Sequence, residues 1–410
     1  MVLRENYLDK LWKYKDLQTI KVITGIRRCG KSTLLKQFQN KLIESGVDAS
    51  QIVSLNFEEL ENESLLDYKA LYSYLKSKLC VGKFIYFFLD EIQNVPFYEK
   101  AIDSLYVKDN VDIYITGSNA YLLSSEIATL LSGRYIEINM LPFSFKEYKE
   151  MMEQTDKQKA FADYMEHGGM PYAALIRKST HGSDSDYIDG VFSTVLVNDV
   201  IEQNQRIKKS DSSKRNVSDI PLLKSISKYL SSVIGSPVSY KSIADYLSSN
   251  GRKTSHSTVC EYIQALEQSY LFYKADRMDV QGKTLFKQNQ KYYIVDLGFR
   301  RHILAKQKYD IGFKLENIVY LELLRRDYEV HVGKIGTNEV DFVAFKDGAY
   351  SYFQVTASML DEKTFNREIT PLKNIKDNYS KVILTNDSLG LGDYNGIKVV
   401  NIVDWLLEDK

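Results

Sequence analysis

The run Gly25-Ile26-Arg27-Arg28-Cys29-Gly30-Lys31-Ser32 follows the apolar segment Ile20–Thr24 and precedes Thr33–Ser45, whose Leu34, Leu35, Phe38 and Leu42 share one helical face. No other feature of the chain limits its fold as strongly. A GxxxxGK[ST] loop works only between a strand and a helix, where its backbone N–H groups converge on phosphate oxygens and the helix N-terminus adds partial positive charge. The chain must therefore begin as part of an α/β layer. In that frame Gly25, Arg28, Gly30 and Thr33 shape the cradle, Lys31 reaches the β- and γ-phosphates, and the Ser32 hydroxyl ligates Mg²⁺. With no guanine-specificity motif in the sequence, ATP is the expected nucleotide.

Two further signals fall in order behind it. Ile52–Phe57, Phe84–Leu89 and Val111–Thr116 read as strands and Tyr68–Leu79 as a helix, an alternation that argues for a parallel sheet. Phe84–Leu89 runs into Asp90-Glu91, an acidic pair at the strand end where open α/β sheets place their ligands. Asp90 would complete the metal shell and Glu91 would polarise the attacking water. Ile115-Thr116-Gly117-Ser118-Asn119 ends the next strand, so Ser118 and Asn119 are placed to sense the γ-phosphate. Arg134 follows shortly after; it would reach a phosphate either in its own chain or in a neighbouring subunit.

The charge balance looks uninformative until it is divided. Lys plus Arg and Asp plus Glu both total 54. Residues 1–204 carry 23 basic and 29 acidic side chains, residues 205–306 carry 18 and 8, and the remainder 13 and 17. Neutrality is thus a cancellation around a basic middle segment, which excludes a uniformly basic protein but not a nucleic-acid binder with one basic face. Three widely spaced cysteines, Cys29, Cys80 and Cys260, fit a reducing compartment and form no zinc spacing. The N-terminal residues lack the apolar core of a signal peptide, and no apolar run approaches the ~20 residues of a membrane helix. A cytoplasmic protein without membrane contact is the expectation.

Beyond the first 142 residues three regions are expected. Residues 143–204 read as a helical lid, broken by Gly168-Gly169-Met170-Pro171. Residues 205–306 open with a polar, basic linker (Arg206–Asp219). The helices Pro221–Val233 and Tyr240–Ser249 follow, then a third capped by Thr254 or Ser255 and a hairpin of Leu271–Asp276 with Lys291–Val295. That is the order of a winged helix-turn-helix. Arg252, Lys253, His256 and Ser257 sit where its recognition helix would begin, and Lys283 and Lys287 on its wing, as possible nucleic-acid contacts. Residues 307–410 carry Glu316 on a helix, Asp341 on a strand and Phe353-Gln354-Val355-Thr356 on the next. A nuclease would need a second carboxylate at Gln354 and a lysine at Thr356, so the site reads as vestigial.

The motifs GIRRCGKSTLL, FFLDEIQNV, ITGSNAYLL, LSGRY with LPFSFKEY, and GGMP resemble those of a large prokaryotic family of AAA-type P-loop ATP-binding proteins. KYYIVDLGFRRHI, ENIVYLELLRR and EVDFVAF with YFQVT resemble the family's C-terminal region, a winged helix followed by a degenerate restriction-endonuclease-like fold. The resemblance implies ATP hydrolysis, assembly into a homo-oligomer and association with DNA. A nucleotide-switched regulator of protein assembly and an ATP-dependent nuclease are the alternatives.

Overall fold

Each apolar run of the N-terminal segment becomes a strand of one sheet. The computed structural model describes residues 2–120, 131, 133–202, 217–304 and 310–408, and of Glu202, Lys287 and Gln288 the backbone only. The chain divides into two compact units: Met1–Met140 with Gln268–Tyr270, and Leu141–Glu267 with Leu271–Lys410.

In the first unit α1 (Glu5–Lys13) precedes β1 (Ile20–Thr24), and α2 (Lys31–Glu44) leads to β2 (Ile52–Asn56). Then come α3 (Tyr68–Ser77), β3 (Ile85–Asp90), α4 (Tyr98–Tyr106), β4 (Val111–Gly117) and β5 (Tyr135–Asn139). The described strands form one parallel sheet in the order β2-β3-β4-β1-β5. Strand alternation divides its side chains between two faces. Ile85, Phe87 and Leu89 join Leu71, Leu75, Ile102 and Leu105 of α3 and α4 in one core. Opposite them Phe88 stacks on Tyr114 at 4.7 Å, and both lie against Phe38 of α2. With both faces covered, β1 and β3 are buried throughout, as parallel strands must be. Lys21 is the exception in kind: its ammonium is wholly buried and paired to Asp112 of β4, which also accepts from Tyr114.

The second unit opens with α5 (Phe145–Met152), α6 (Lys157–His167), α7 (Pro171–Thr180) and α8 (Ser185–Thr194), continued by a π-helical stretch, Val195–Glu202. The break at Gly168-Gly169 has a specific cause. The Asp296 carboxylate accepts hydrogen bonds from Gly169 N at 2.5 Å and Gly298 N at 2.8 Å, and a Cβ on Gly168 would lie 2.0 Å from Asp296 Oδ1. Only glycine, here at φ +74°, lets the backbone wrap that buried carboxylate. Pro171 then opens α7 at a position that needs no N–H.

The chain continues through α9 (Ile220–Ser232), β6 (Pro237–Val238), α10 (Tyr240–Ser249), α11 (His256–Gln268), β7 (Phe272–Asp279), β8 (Thr284–Ile294) and α12 (Leu297–Leu304). After it come α13 (Ile311–Arg325), β9 (Glu329–Ile335), β10 (Asn338–Lys346), β11 (Ala349–Thr356), α14 (Glu362–Lys373), β12 (Ser380–Thr385), β13 (Gly392–Tyr394), β14 (Ile397–Asn401) and α15 (Ile402–Leu407). The described strands form one sheet, β13-β14-β12-β11-β10-β9-β7-β8-β6. It takes strands from both 205–306 and 307–410, so these segments share a β layer. The hairpin is longer than its apolar ends indicate: Arg277 pairs with Phe286 and Asp279 with Thr284. The polar run from Lys287 to Gln290 conceals the middle of β8, where alternation is lost. Residues 206–216 of the expected linker lie outside the described residues.

Candidate functional site

The loop between β1 and α2 is held by sterics. Gly25 has φ +142° and passes so close to β5's end that a Cβ would sit 2.2 Å from Met140 O. Gly30 turns at φ +107° directly before Lys31, and no side chain caps the first turn of α2. Arg28, at φ +68°, and Thr33 are exposed on either side of that turn. The Lys31 ammonium curls over the loop, donating to Gly25 O at 3.1 Å and Ile26 O at 3.4 Å.

β4 lies between β1 and β3, and this order brings the three motifs together. Asp90 ends β3, and its carboxylate accepts from the hydroxyls of Thr116 and Ser32. Thr116 accepts in turn from Glu91 N at 2.9 Å. Glu91 stands at φ +53°, and its Oε1 lies 3.7 Å from Lys31 Nζ. Gln93 and Ser118 donate to the same carboxylate, and Ser118 and Asn119 are buried beside it. Burial pushes the Asp90 carboxyl up against the opposing pull of Ser32, Thr116 and Lys31. Burial would raise Glu91 as well, but Lys31 together with Gln93, Arg27 and Ser118 holds it below its ordinary value. The two adjacent carboxyls are thus driven apart: one is short of cationic compensation and the other is kept ionised. Thr116 thus ties Asp90 to the Glu91 backbone, and its signal in the sequence is a β-branched hydroxyl at the end of a buried strand.

Arg134 is not part of this cluster. Its carbonyl accepts from Ile20 N at 2.8 Å, so it stands at the start of β5, beside the start of β1. The phosphate loop follows the far end of β1, about 15 Å away at roughly 3.3 Å per residue. Its guanidinium pairs with Asp103 of α4 and lies 5.3 Å over the Tyr106 ring. In this structure the guanidinium therefore lies away from the phosphate loop of its own chain.

In the second unit Lys253 and His256 are exposed at the start of α11, with Ser257 half-buried beside them. Arg252 is engaged: its NH1 lies 3.1 Å from both carboxylate oxygens of Asp219. Lys283, expected on the wing, lies in the turn between β7 and β8 and is engaged within the protein. Its ammonium lies 4.2 Å over the Tyr350 ring, donates to the Tyr352 hydroxyl at 2.5 Å and pairs with Asp377 at 3.6 Å. Burial pushes it below its ordinary value although Asp377 pulls the other way. The Lys287 side chain lies outside the described residues.

Glu316, Asp341 and Gln354 do converge. Asp341 N donates to Gln354 Oε1 at 3.3 Å, while Thr356 donates instead to Ser358 O at 3.1 Å. Lys291 of β8, unremarked in the sequence, reaches Glu316 Oε1 at 3.0 Å. Its signal was a lone cation opening the apolar run Tyr292–Val295.

Residues 17–149 match the family model of an AAA domain, and residues 158–310 match that of a domain of unknown function, DUF8612. An uncharacterised protein of Haemophilus influenzae is 39% identical over 414 residues, covering 100% of this chain and 99% of that one. The chain belongs to the AAA-type P-loop ATPase family. A second relative, an uncharacterised protein of Methanocaldococcus jannaschii, is 31% identical over 90% of this chain and 82% of its own length. A Walker-type ATPase of Pyrococcus abyssi shares its fold at a TM-score of 0.50 and 15% identity, covering 74% of this chain and 96% of that one. Among its described residues, no helix is long and apolar enough to cross a membrane.

Proposed function

We propose that this protein is a Mg²⁺-dependent ATPase whose nucleotide state governs a DNA-associated C-terminal half. The observation that carries the enzymatic part is the meeting of Lys31, Asp90, Glu91 and Ser118 at one end of the parallel sheet. Ser32 and Asp90 form a hydrogen-bonded pair of hard oxygen donors, one of them a buried carboxylate short of positive charge, and this fits a magnesium ion. Mg²⁺ bound there would neutralise phosphate charge. Lys31 would bind the β- and γ-phosphates together with the N–H groups between Gly25 and Thr33. Glu91, kept ionised, would orient and polarise the attacking water, and Ser118 and Asn119 would register the γ-phosphate. Arg134, which lies away from the phosphate loop and against Asp103, would act in a neighbouring subunit, making the active form a homo-oligomer.

For the C-terminal half, α9, β6, α10, α11 and the β7–β8 hairpin support a winged helix, with β6 closing the sheet against β8. The succession α13-β9-β10-β11-α14-β12, with β11 and β12 parallel, supports a restriction-endonuclease-like fold. Its chemistry argues against cleavage, since Gln354 and Thr356 replace the carboxylate and lysine. DNA would then be held and not cut, with Lys253, His256 and Ser257 at the start of α11 as its contacts. A second reading, protein assembly without DNA, is favoured by one observation: Arg252 and Lys283 are already engaged within the protein. ATPase turnover measured with and without duplex DNA, together with DNA affinity across a salt series, separates the two. DNA binding predicts stimulation and a log–log salt slope of about −0.9 per phosphate contact. A slope near zero with undiminished ATPase activity would overturn the DNA reading and leave the enzyme standing.

A further inference from the structure

Glu316 on α13, Glu339 and Asp341 on β10, Gln354 on β11 and Glu368 on α14 are drawn together in the second unit. β7 and β9 separate β8 from β10 in the sheet order, yet Lys291 of β8 reaches the same cluster. Bulges between Ala275 and Arg277 and between Val340 and Val343 break the ladders on either side and let the sheet curl. Lys291 is 2% exposed, with Nζ 3.0 Å from Glu316 Oε1 and 2.7 Å from Glu339 Oε1. We propose that the Lys291 ammonium is the resident cation of this cluster: it occupies the place a divalent ion would need and turns a nuclease-like pocket into a closed internal salt bridge.

The hydrogen bonds around it support this assignment. Glu316 Oε1 also accepts from the Tyr293 hydroxyl at 2.6 Å, and Glu339 Oε2 faces Arg277 at 3.7 Å. Asp341 Oδ2 accepts from Val355 N at 2.7 Å. The Gln354 amide is used in both directions, accepting from Asp341 N and donating to Glu368 at 2.9 Å, while Arg367 donates to the other Glu368 oxygen. Each carboxylate oriented toward a would-be metal thus already has a donor from the protein. Among the described residues no set of three His, Cys, Asp or Glu side chains is arranged to hold a metal ion. Electrostatics agrees. Burial and then Glu316 push the Asp341 carboxyl up, while at Lys291 the pull of Glu316, Asp341 and Glu339 outweighs burial and holds the ammonium above its ordinary value. The inference rests on this cluster and not on the DNA reading, and it stands whether or not DNA binds elsewhere.

The test uses the full chain without nucleotide and Mn²⁺ as the probe, with bound and free metal read by electron paramagnetic resonance. Wild type and Asp341→Asn should bind Mn²⁺ equally, since the carboxylate is already committed. Lys291→Met, which keeps the aliphatic stem and removes the charge, should gain a site at least about tenfold tighter. That site should vanish in Lys291→Met/Asp341→Asn. If wild type binds a Mn²⁺ that Asp341→Asn lacks, or if folded Lys291→Met gains none, the proposal is overturned. Should Lys291→Met fail to fold, the wild-type comparison with Asp341→Asn decides alone. Mn²⁺-dependent plasmid nicking by the wild type that is lost in Asp341→Asn would equally overturn it.

Discussion

At the residue scale, the site depends on which groups keep their charge. Glu91 is held below its ordinary value by Lys31, so replacing it with Gln removes the charge that would polarise water while leaving the loop intact. Glu91→Gln should retain nucleotide affinity, measured by fluorescent-nucleotide titration, and lose about a hundredfold or more in turnover. Gly25 presents the opposite case, since its contribution is the absence of a side chain. A Cβ 2.2 Å from Met140 O forces the β1–α2 loop away from β5. Gly25→Ala should lower the melting temperature and abolish nucleotide binding together, a coupled loss distinct from that of Glu91→Gln.

At the element scale, direction and spacing carry the chemistry. β1 and β5 run parallel, so Arg134 and the phosphate loop occupy opposite ends of one strand length. Mixing Arg134→Ala with Glu91→Gln protein should restore part of the turnover each lacks, and an inactive mixture would exclude service across subunits. β1 and β4 are also joined through a buried pair. Lys21→Met leaves the Asp112 charge buried and should cost about 3–5 kcal/mol of unfolding free energy, while Lys21→Met/Asp112→Leu should recover much of it. The N-terminal unit was legible because β1, β3 and β4 are apolar runs that end in motifs; Ile20–Thr24 reads the same in sequence and structure. The sheet order was not written in any run, and it alone brings Thr116 between Lys31 and Asp90. In the C-terminal half the helices were legible from their caps and apolar faces. The β7–β8 hairpin was concealed by its polar middle. Lys291 escaped because a lysine serves equally at a surface or in a buried ion pair, and only tertiary contacts distinguish the two.

At the scale of the whole molecule, stability is linked to pH through Asp296. Its buried carboxyl is pushed up to about 7, first by desolvation, against the pull of the Gly169 and Gly298 N–H groups. In the unfolded chain it titrates near its ordinary value, so between roughly pH 4 and 7 the folded state holds the extra proton. This group therefore makes the protein less stable as pH rises through that window and adds no further change above it. Asp296→Asn should flatten this part of the stability profile, measured by denaturant unfolding, relative to the wild type. The shared β layer has a consequence for the order of synthesis. β7 pairs in parallel with β9 through Arg277↔Val332, a contact that closes only after α12 and α13 have been made. A nascent chain that has completed the β7–β8 hairpin still presents one open strand edge, and it must keep that edge from pairing with other chains until Glu329–Ile335 arrives.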